Sequence, residues 1–480
     1  MKRILFLVLT LALTLSLASL TRAEEAPVEL RWLLYTTDYA PKDLDMVAAE
    51  LNEMSAKDIG VTVKFEYVTR DQVSLIVNSG EYFDLCYTSS TFNDFATNAA
   101  NGIFCDITDP VRTLTPDLYA GIPEMLWDAT SVGGRNYAVP ILKDYAVEVF
   151  WRLDPAAFVD ELGMEIPRTM TFADIEPYLA AYKAAHPEAY PMYSKRNGPD
   201  SHENQVNWIV KDLMLCTEFV PEDDPEAYRV KLGLEVDDVT DRYRLMHKWY
   251  GLGYINPDAA TTNSIPNTQY SPVRSGQGWF GAESIWEGQV GHGQVISRYV
   301  GPYLTTTSVQ GAMTAVSAAS KHVDEALKYI EYCNTNVPYR TMLRYGLEGT
   351  HYHYNADGTV TRTEQGTQNY NPLAYSQASY AVGPLEGEGS DNEMWQKVFD
   401  SYADAQVSNT IGFNFDDEDV EMEAAACLAV WGNYSSELRT GTSDPDEVLP
   451  KLIAELEEAG IRTVIDEAQA QLDAWVEGNK

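Results

Sequence analysis

Alternation of apolar and polar positions opens the readable part of the chain. Val28, Leu30, Trp32 and Leu34 fall on every second residue, the period of a strand. After Pro41, Leu44, Val47, Leu51 and Met54 recur at helical spacing and stop near Gly60. Val61, Val63, Phe65 and Tyr67 then alternate again. Strand, helix and strand in so short a stretch predict a βαβ unit with parallel strands. A second helix is expected over 71–79, ended by Gly80, and a third strand over 83–88. Ser89, Ser90 and Thr91 follow at the carboxyl end of that strand, where open α/β sheets hold ligands. One of these hydroxyls is expected to cap a helix over 92–101, leaving two free.

Further on, 136–142 reads as an extended segment interrupted by Pro140, suited to a crossing between lobes, and 145–152 as an apolar strand. Thr171-Phe172-Ala173-Asp174 forms a capping box, and Pro177 is expected to kink the helix it opens. Helices are expected over 208–216 and 240–250, a small-residue strand over 309–316, and a helix capped by Ser320. The pattern over 348–360 predicts a hairpin around Asn355-Ala356-Asp357-Gly358. The Asn-, Gln- and Gly-rich stretch 366–390 reads as an ordered loop, because Tyr370, Tyr375 and Tyr380 need partners. Three helices close the chain: one through Ala424 to Tyr434 presenting Trp431, one capped by Asp444 and ending at Gly460, and a final amphipathic one.

One stretch carries the functional expectation. Ser275 to Gly288 places Trp279 and Trp286 among small residues, and a strand entering a tight turn would leave Trp286 at the mouth of a cleft. An indole there offers a flat apolar face and one N–H donor, which suits a sugar ring. The same stretch spells G-x-G-x-x-G at Gly276, Gly278 and Gly281. It is not read as a dinucleotide fingerprint, because bulky Trp279 and Phe280 occupy the slots a pyrophosphate would approach and no acid follows at the required distance.

Composition narrows the class. Met1-Lys2-Arg3, an uncharged run from Ile4 to Leu20, and Thr21-Arg22-Ala23 form a secretory leader (residues 1–23) rather than a membrane anchor, which needs about 20 apolar residues. Net charge is −38, and cleavage would remove three cations and no acid. Such acidity argues against nucleic acid and anionic membranes as partners. The five cysteines lack C-x-x-C spacing, and Cys86 with Cys105 is the only near pair for a disulfide. His351 and His353 share a strand face without a third ligand, so neither a metal nor any other cofactor is expected. No nucleophile, zinc or phosphate-loop signature occurs, and 30 tyrosines and 10 tryptophans suggest a protein that holds a ligand rather than converts it.

Several motifs resemble a known family. Asp84-Leu85-Cys86-Tyr87-Thr88-Ser89-Ser90, Gly134-Arg135-Asn136-Tyr137-Ala138-Val139-Pro140, and Gly276 to Trp286 followed by Gln310 to Ser317 are similar to the extracellular solute-binding proteins of bacterial ABC importers, the family-1 type related to maltose-binding protein. Arg344 to Tyr352, Asp444 to Pro450 and Gln469 to Trp475 resemble its lipoprotein-type subfamily, which has a C-terminal domain of unknown function. A lipobox cysteine is missing, since Leu20 follows Leu17-Ala18-Ser19, so the exported protein is expected to be free of a lipid anchor.

The resemblance implies an α/β type II periplasmic-binding fold: two discontinuous lobes around a hinge and central cleft, 26–143 plus 309–372 and 144–308 plus 373–480. It implies a monomer that closes on a small ligand, an oligosaccharide first, and delivers it to permease subunits. Tyr39, Ser89, Ser90, Tyr137, Arg152, Trp279, Glu283, Trp286 and Trp431 are the cleft candidates. A peptide or other polar solute is the alternative cargo. A secreted glycosidase would instead place two carboxyl groups about 5–9.5 Å apart in the cleft. An adhesion protein would expose an apolar patch and no cleft.

Overall fold

The computed structural model describes residues 26–199, 202–266 and 269–479; the expected leader and the missing lipobox cysteine lie outside them. The chain starts with β1 (Val28–Tyr35), α1 (Leu44–Ile59) and β2 (Val61–Val68), and β1 pairs with β2 in parallel from Val28 opposite Val61 to Tyr35 opposite Val68. α1 buries Val47 and Leu51. It ends where Gly60, at φ 70°, turns left-handed and its N–H closes on the last carbonyls. α2 (Arg70–Ser79) begins at a Thr69–Gln72 capping box, and β3 (Leu85–Thr88) follows. After several short helices come β4 (Ala138–Pro140) and β5 (Val147–Leu153).

Two expectations fail in the middle of the chain. Pro177 does not kink its helix: it stands in the first turn of Glu176–Ala185, where its missing N–H costs no intrahelical bond. The Thr171–Asp174 box instead opens the 3-10 turn Ala173–Ile175 ahead of that helix, with Thr171 N–H donating to Asp174 at 2.8 Å. Residues 208–216 are not a helix either. Asn207–Val210 and Leu215–Thr217 pair antiparallel around a 3-10 turn that Met214 leaves at φ 57°. Trp208 and Ile209 belong to the aromatic and β-branched types that favour strands, and the Asn207 amide donates to Thr217 Oγ1 across the hairpin.

The chain continues through α3 (Asp237–Gly251), β6 (Val273–Gln277), α4 (Glu283–Val290), β7 (Val295–Leu304), β8 (Met313–Val316) and α5 (Val323–Thr335). The expected hairpin pairs Tyr352–Tyr354 with Val360–Arg362. After β9 (Gln406–Val407) come α6 (Glu421–Thr440), α7 (Pro445–Ala459) and α8 (Ile461–Asn479). Asp444 caps α7 by accepting from Asp446 N–H.

Two main sheets result, in the orders β2-β1-β3-β8-β4 and β6-β5-β7-β9. The chain crosses from the first to the second between β4 and β5, returns between β7 and β8, and crosses again before β9. One face of the first sheet buries Leu30, Trp32 and Leu34 under α1 and α5; the other buries Leu33, Cys86 and Ala315. In the second sheet, Val149, Trp151 and Leu153 alternate onto one face with Trp249 of α3, while Phe150 lies on the other with Trp286 and Ile296. The C-terminal helices are not a separate module, for they share one core with α3 and the small hairpin. All five cysteines are free, Cys86 and Cys105 included. No described helix is long and apolar enough to cross a membrane.

Candidate functional site

The carboxyl ends of β1 and β3 carry a cluster of aromatic side chains. Tyr35 ends β1 and stacks beside Tyr87 of β3, with ring centres 5.8 Å apart and planes 13° from parallel. Phe92 closes on Tyr35 at 4.4 Å, and Tyr375 completes the group at 6.4 Å from Tyr35 and 6.1 Å from Tyr87. Tyr35 and Tyr375 are only partly buried, so the cluster shows phenol rings to solvent. Tyr87 donates to the Gly311 carbonyl at 3.2 Å; burial raises its phenol above the ordinary range and keeps it a donor. Lys143, paired with Asp144 at 3.2 Å, brings its ammonium beside Gly311. With the Arg70 guanidinium 5.7 Å over the Phe92 ring as well, flat apolar rings edged by hydroxyls and cations can grip the face and the rim of a sugar.

Ser89 and Ser90 shape this end of the sheet. Ser89 Oγ accepts from Phe92 N–H at 2.9 Å and is 1% exposed, so it closes the turn after β3 and is not a free hydroxyl. The helix beyond is Phe95–Ala100, capped by Asp94 rather than by a serine. Ser90 N–H donates to the Gln310 carbonyl at 3.0 Å, tying β3 to the crossing that returns between β7 and β8.

A second aromatic surface stands where β6 leaves the second sheet. Trp279, partly buried, packs at 5.0 Å from Trp395, and Tyr380 lies 5.3 Å from Trp395 on its own segment. The indole N–H groups of Trp279 and Trp395 are buried and make no hydrogen bond to protein. Phe280 stands edge-on to Phe150 and is covered by the guanidiniums of Arg168 at 3.8 Å and Arg298 at 5.4 Å. Arg298 also holds the buried Glu148 at 2.6 Å; desolvation still leaves that carboxyl above its usual range.

The remaining cleft candidates fall elsewhere. Trp286 does not stand at a cleft mouth. It lies on α4, 8% exposed, with Arg152 stacked on its ring at 4.6 Å. Gly278 is why the indole fits, since a methyl group there would lie 2.8 Å from it. The strand and helix of a nucleotide motif are thus present, but the glycines receive an indole instead of a phosphate. Arg152 is 8% exposed and donates to Gln294 at 3.2 Å, so it is not free to meet ligand hydroxyls in the way expected. Glu283 accepts from Gly281 N–H at 2.7 Å and so stiffens the entry to its own helix. Trp431 is 5% exposed in the C-terminal core under Arg439, remote in the fold from either aromatic surface. Tyr137 precedes β4 at the end of the first sheet opposite Thr88, because Thr88 and Pro140 flank Met313 while Ala138 pairs with Ala315. Tyr39 is 88% exposed on the loop after β1, beyond the phenol cluster.

Tyr35, Tyr87, Phe92 and Tyr375 escaped the sequence reading. Tyr35 and Tyr87 could have been found, since each sits at or near the carboxyl end of an expected strand. Tyr375 lies in a loop without periodicity and reaches the cluster only through the fold.

Comparison with known proteins places this arrangement. Residues 409–477 match the family described as Domain of unknown function (DUF3502). A carbohydrate ABC transporter substrate-binding protein from Streptococcus pneumoniae is 23% identical over 474 residues, covering 93% of this chain and 91% of its own length. The crystal structure of the N-glycan transport solute binding protein NgtS, from the same organism, is similar at TM-score 0.85 and 21% identity, over 94% of this chain and 100% of that one. An extracellular solute-binding protein from Bifidobacterium longum subsp. infantis matches at TM-score 0.61 and 15% identity, covering 94% and 99%. The resemblance read from the motifs is borne out along nearly the whole described chain, which has the α/β fold of the extracellular solute-binding proteins and ends in a DUF3502 region.

Proposed function

We propose that this chain is the solute-binding component of an ABC importer and that its cargo is an oligosaccharide. The observation that carries this reading is the pair of aromatic surfaces, Tyr35 with Tyr87 and Tyr375 on the first sheet and Trp279 at the exit of the second, joined by three crossing segments. The lobes are taken as 26–143 plus 309–372 and 144–308 plus 373–480, except that Tyr375 stands with the first sheet and Leu385, Trp395 and Tyr402 are buried in its core, so the stretch through Tyr402 packs with the first lobe. A ligand touching both surfaces favours a closed form, and that form is what a permease would recognise. Two further similarities support a hinge. TM-scores to NgtS fall from 0.85 to 0.72 for its complex with Man5GlcNAc and 0.75 for that with Man1GlcNAc. On this reading the chain is an exported monomer that holds its cargo rather than converting it.

Isothermal titration tests the cargo, with Man5GlcNAc and a panel of other oligosaccharides as probes and peptides as the competing class. At least one glycan is expected to bind. Tyr375→Ala is expected to weaken that glycan by about 10-fold or more, the loss of one aromatic anchor worth ~1–3 kcal/mol. Binding of peptides with no response to glycans, or undiminished affinity in both Tyr375→Ala and Trp279→Ala, would reject the reading.

A further inference from the structure

Phe219 follows the small hairpin and stacks on Tyr303, with ring centres 4.2 Å apart and planes 27° from parallel. This is a third aromatic group, distinct from those around Tyr35 and Trp279. Both of its residues are only partly buried, so ring surface stays open. Tyr303 lies one residue before the end of β7, opposite Val147 at the start of β5 and Gln406 of β9. β5 begins after the first crossing, β7 ends into the second, and β9 follows the third. The stack therefore stands at the hinge end of the second sheet. Tyr303 packs there on the face that carries Val149 and Trp151, and Trp279 on the face of Phe150.

The C-terminal region holds this stack in place. The Asn207 amide donates to Thr217 Oγ1 at 3.0 Å and to Thr410 Oγ1 at 2.8 Å, and the Asn409 amide donates to the Val220 carbonyl at 2.9 Å. Phe219 is thus tied on both sides to Asn409 and Thr410, the first residues of the DUF3502 match. The Thr410 carbonyl in turn accepts from Thr306 Oγ1 at 3.2 Å, in the second crossing. A ring fixed in this way loses little freedom when a ligand arrives, which favours affinity. In the pairing of β7 with β9, the exposed Gln406 side chain shares a face with Tyr303 and supplies a donor and an acceptor. Burial raises the Tyr303 phenol above its ordinary range, so it remains a donor at neutral pH. A flat ring surface with a hydroxyl and an amide at its edge suits the face and hydroxyls of a sugar.

We propose that the Phe219–Tyr303 stack is a further sugar subsite, for a unit of the glycan beyond those held at Tyr35, Tyr87 and Tyr375, and that the DUF3502 region positions it. This rests on the oligosaccharide reading and adds a preference for longer glycans. Isothermal titration of the full chain tests it, with each glycan of the panel set beside a disaccharide cut from it, such as Man5GlcNAc beside Man1GlcNAc. For a glycan that binds, Phe219→Ala is expected to weaken the long form by about fivefold or more and to leave the disaccharide within about twofold of wild type. Tyr303→Leu should reproduce that pattern, whereas Tyr375→Ala should weaken both lengths. Circular dichroism and the retained disaccharide affinity verify that the variants are folded. A long form bound as tightly by Phe219→Ala and Tyr303→Leu as by wild type, or an equal loss at both lengths, overturns the subsite and leaves the oligosaccharide reading intact. Failure of every glycan to bind the wild type rejects that reading and the subsite with it.

Discussion

Replacing Glu203 by Gln is expected to destabilise the protein by about 3–5 kcal/mol at pH 7, the usual cost of breaking a buried ion pair from one side. Glu203 is 2% exposed and accepts from Arg439 Nε at 2.9 Å and Nη2 at 3.0 Å, with the Tyr243 hydroxyl at 2.5 Å. The amide would leave the Arg439 guanidinium buried without its countercharge. The consequence is not confined to the pair. Arg439 belongs to α6 of the C-terminal region, and Gly198, at φ 68°, packs directly on its carbonyl. Gly198 and Glu203 are therefore both held against α6 at Arg439.

The pH dependence has a definite sign. Arg439 and its other neighbours hold the Glu203 carboxyl well below the ordinary carboxylate range despite the opposing effect of burial. Its stabilisation is complete above the unfolded value of about 4.3 and is lost as pH falls toward the folded one. The gap between wild type and Glu203→Gln should thus narrow below about pH 4. Next to it, burial pushes His202 down to about 4, so the folded state excludes a proton that the unfolded chain binds near 6.5. Wild-type stability should decline from about pH 6.5 to 4, and His202→Phe should flatten that limb. Melting temperatures between pH 3 and 8 for the three proteins check both effects. A limb unchanged in His202→Phe would assign the acid sensitivity elsewhere.

Arg340→Met is expected to cost about 3–5 kcal/mol and to weaken ligand binding as well. Arg340 is fully buried without a carboxylate partner. Its guanidinium donates to the carbonyls of Ser379, Ala374 and Ala378 and to the Gln377 amide oxygen, all between 3.0 and 3.1 Å. Burial lowers it to about 10, which leaves it charged at neutral pH. One side chain thereby orders the crossing segment that carries Tyr375 and Tyr380. Methionine fills similar space but strands those acceptors, each worth about 1–3 kcal/mol when left unmet. Denaturant unfolding measures the loss, and glycan titration of the folded fraction measures the binding defect. A variant as stable as wild type would mean that the segment is held by other contacts.

The legible parts of this protein were those governed by local repetition. Alternation in β1 and β2, helical spacing in α1 and the glycine stops at Gly60 and Gly80 predicted the first βαβ unit with its parallel pairing. The site was harder because its cues are ambiguous in one dimension. Small residues flanking Trp286 suit an indole displayed at a turn and equally an indole seated on glycines, and only the cross-strand neighbours of Phe150 and Arg152 decide for the second. Trp431 likewise reads as a displayed aromatic until the small hairpin and α3 cover it. Arg340 and Glu203 are single charges in unremarkable sequence, and their weight arises from partners 34 to 39 and 236 residues away.

The central claim is that two aromatic-faced halves swing together on an oligosaccharide. Small-angle scattering of the full chain, with and without a saturating glycan from the titration panel, tests it most directly. The radius of gyration should fall on binding and remain at the ligand-free value when the same glycan is added to Tyr375→Ala at a concentration too low to saturate that variant. A glycan that binds tightly while leaving the wild-type radius unchanged would contradict the claim.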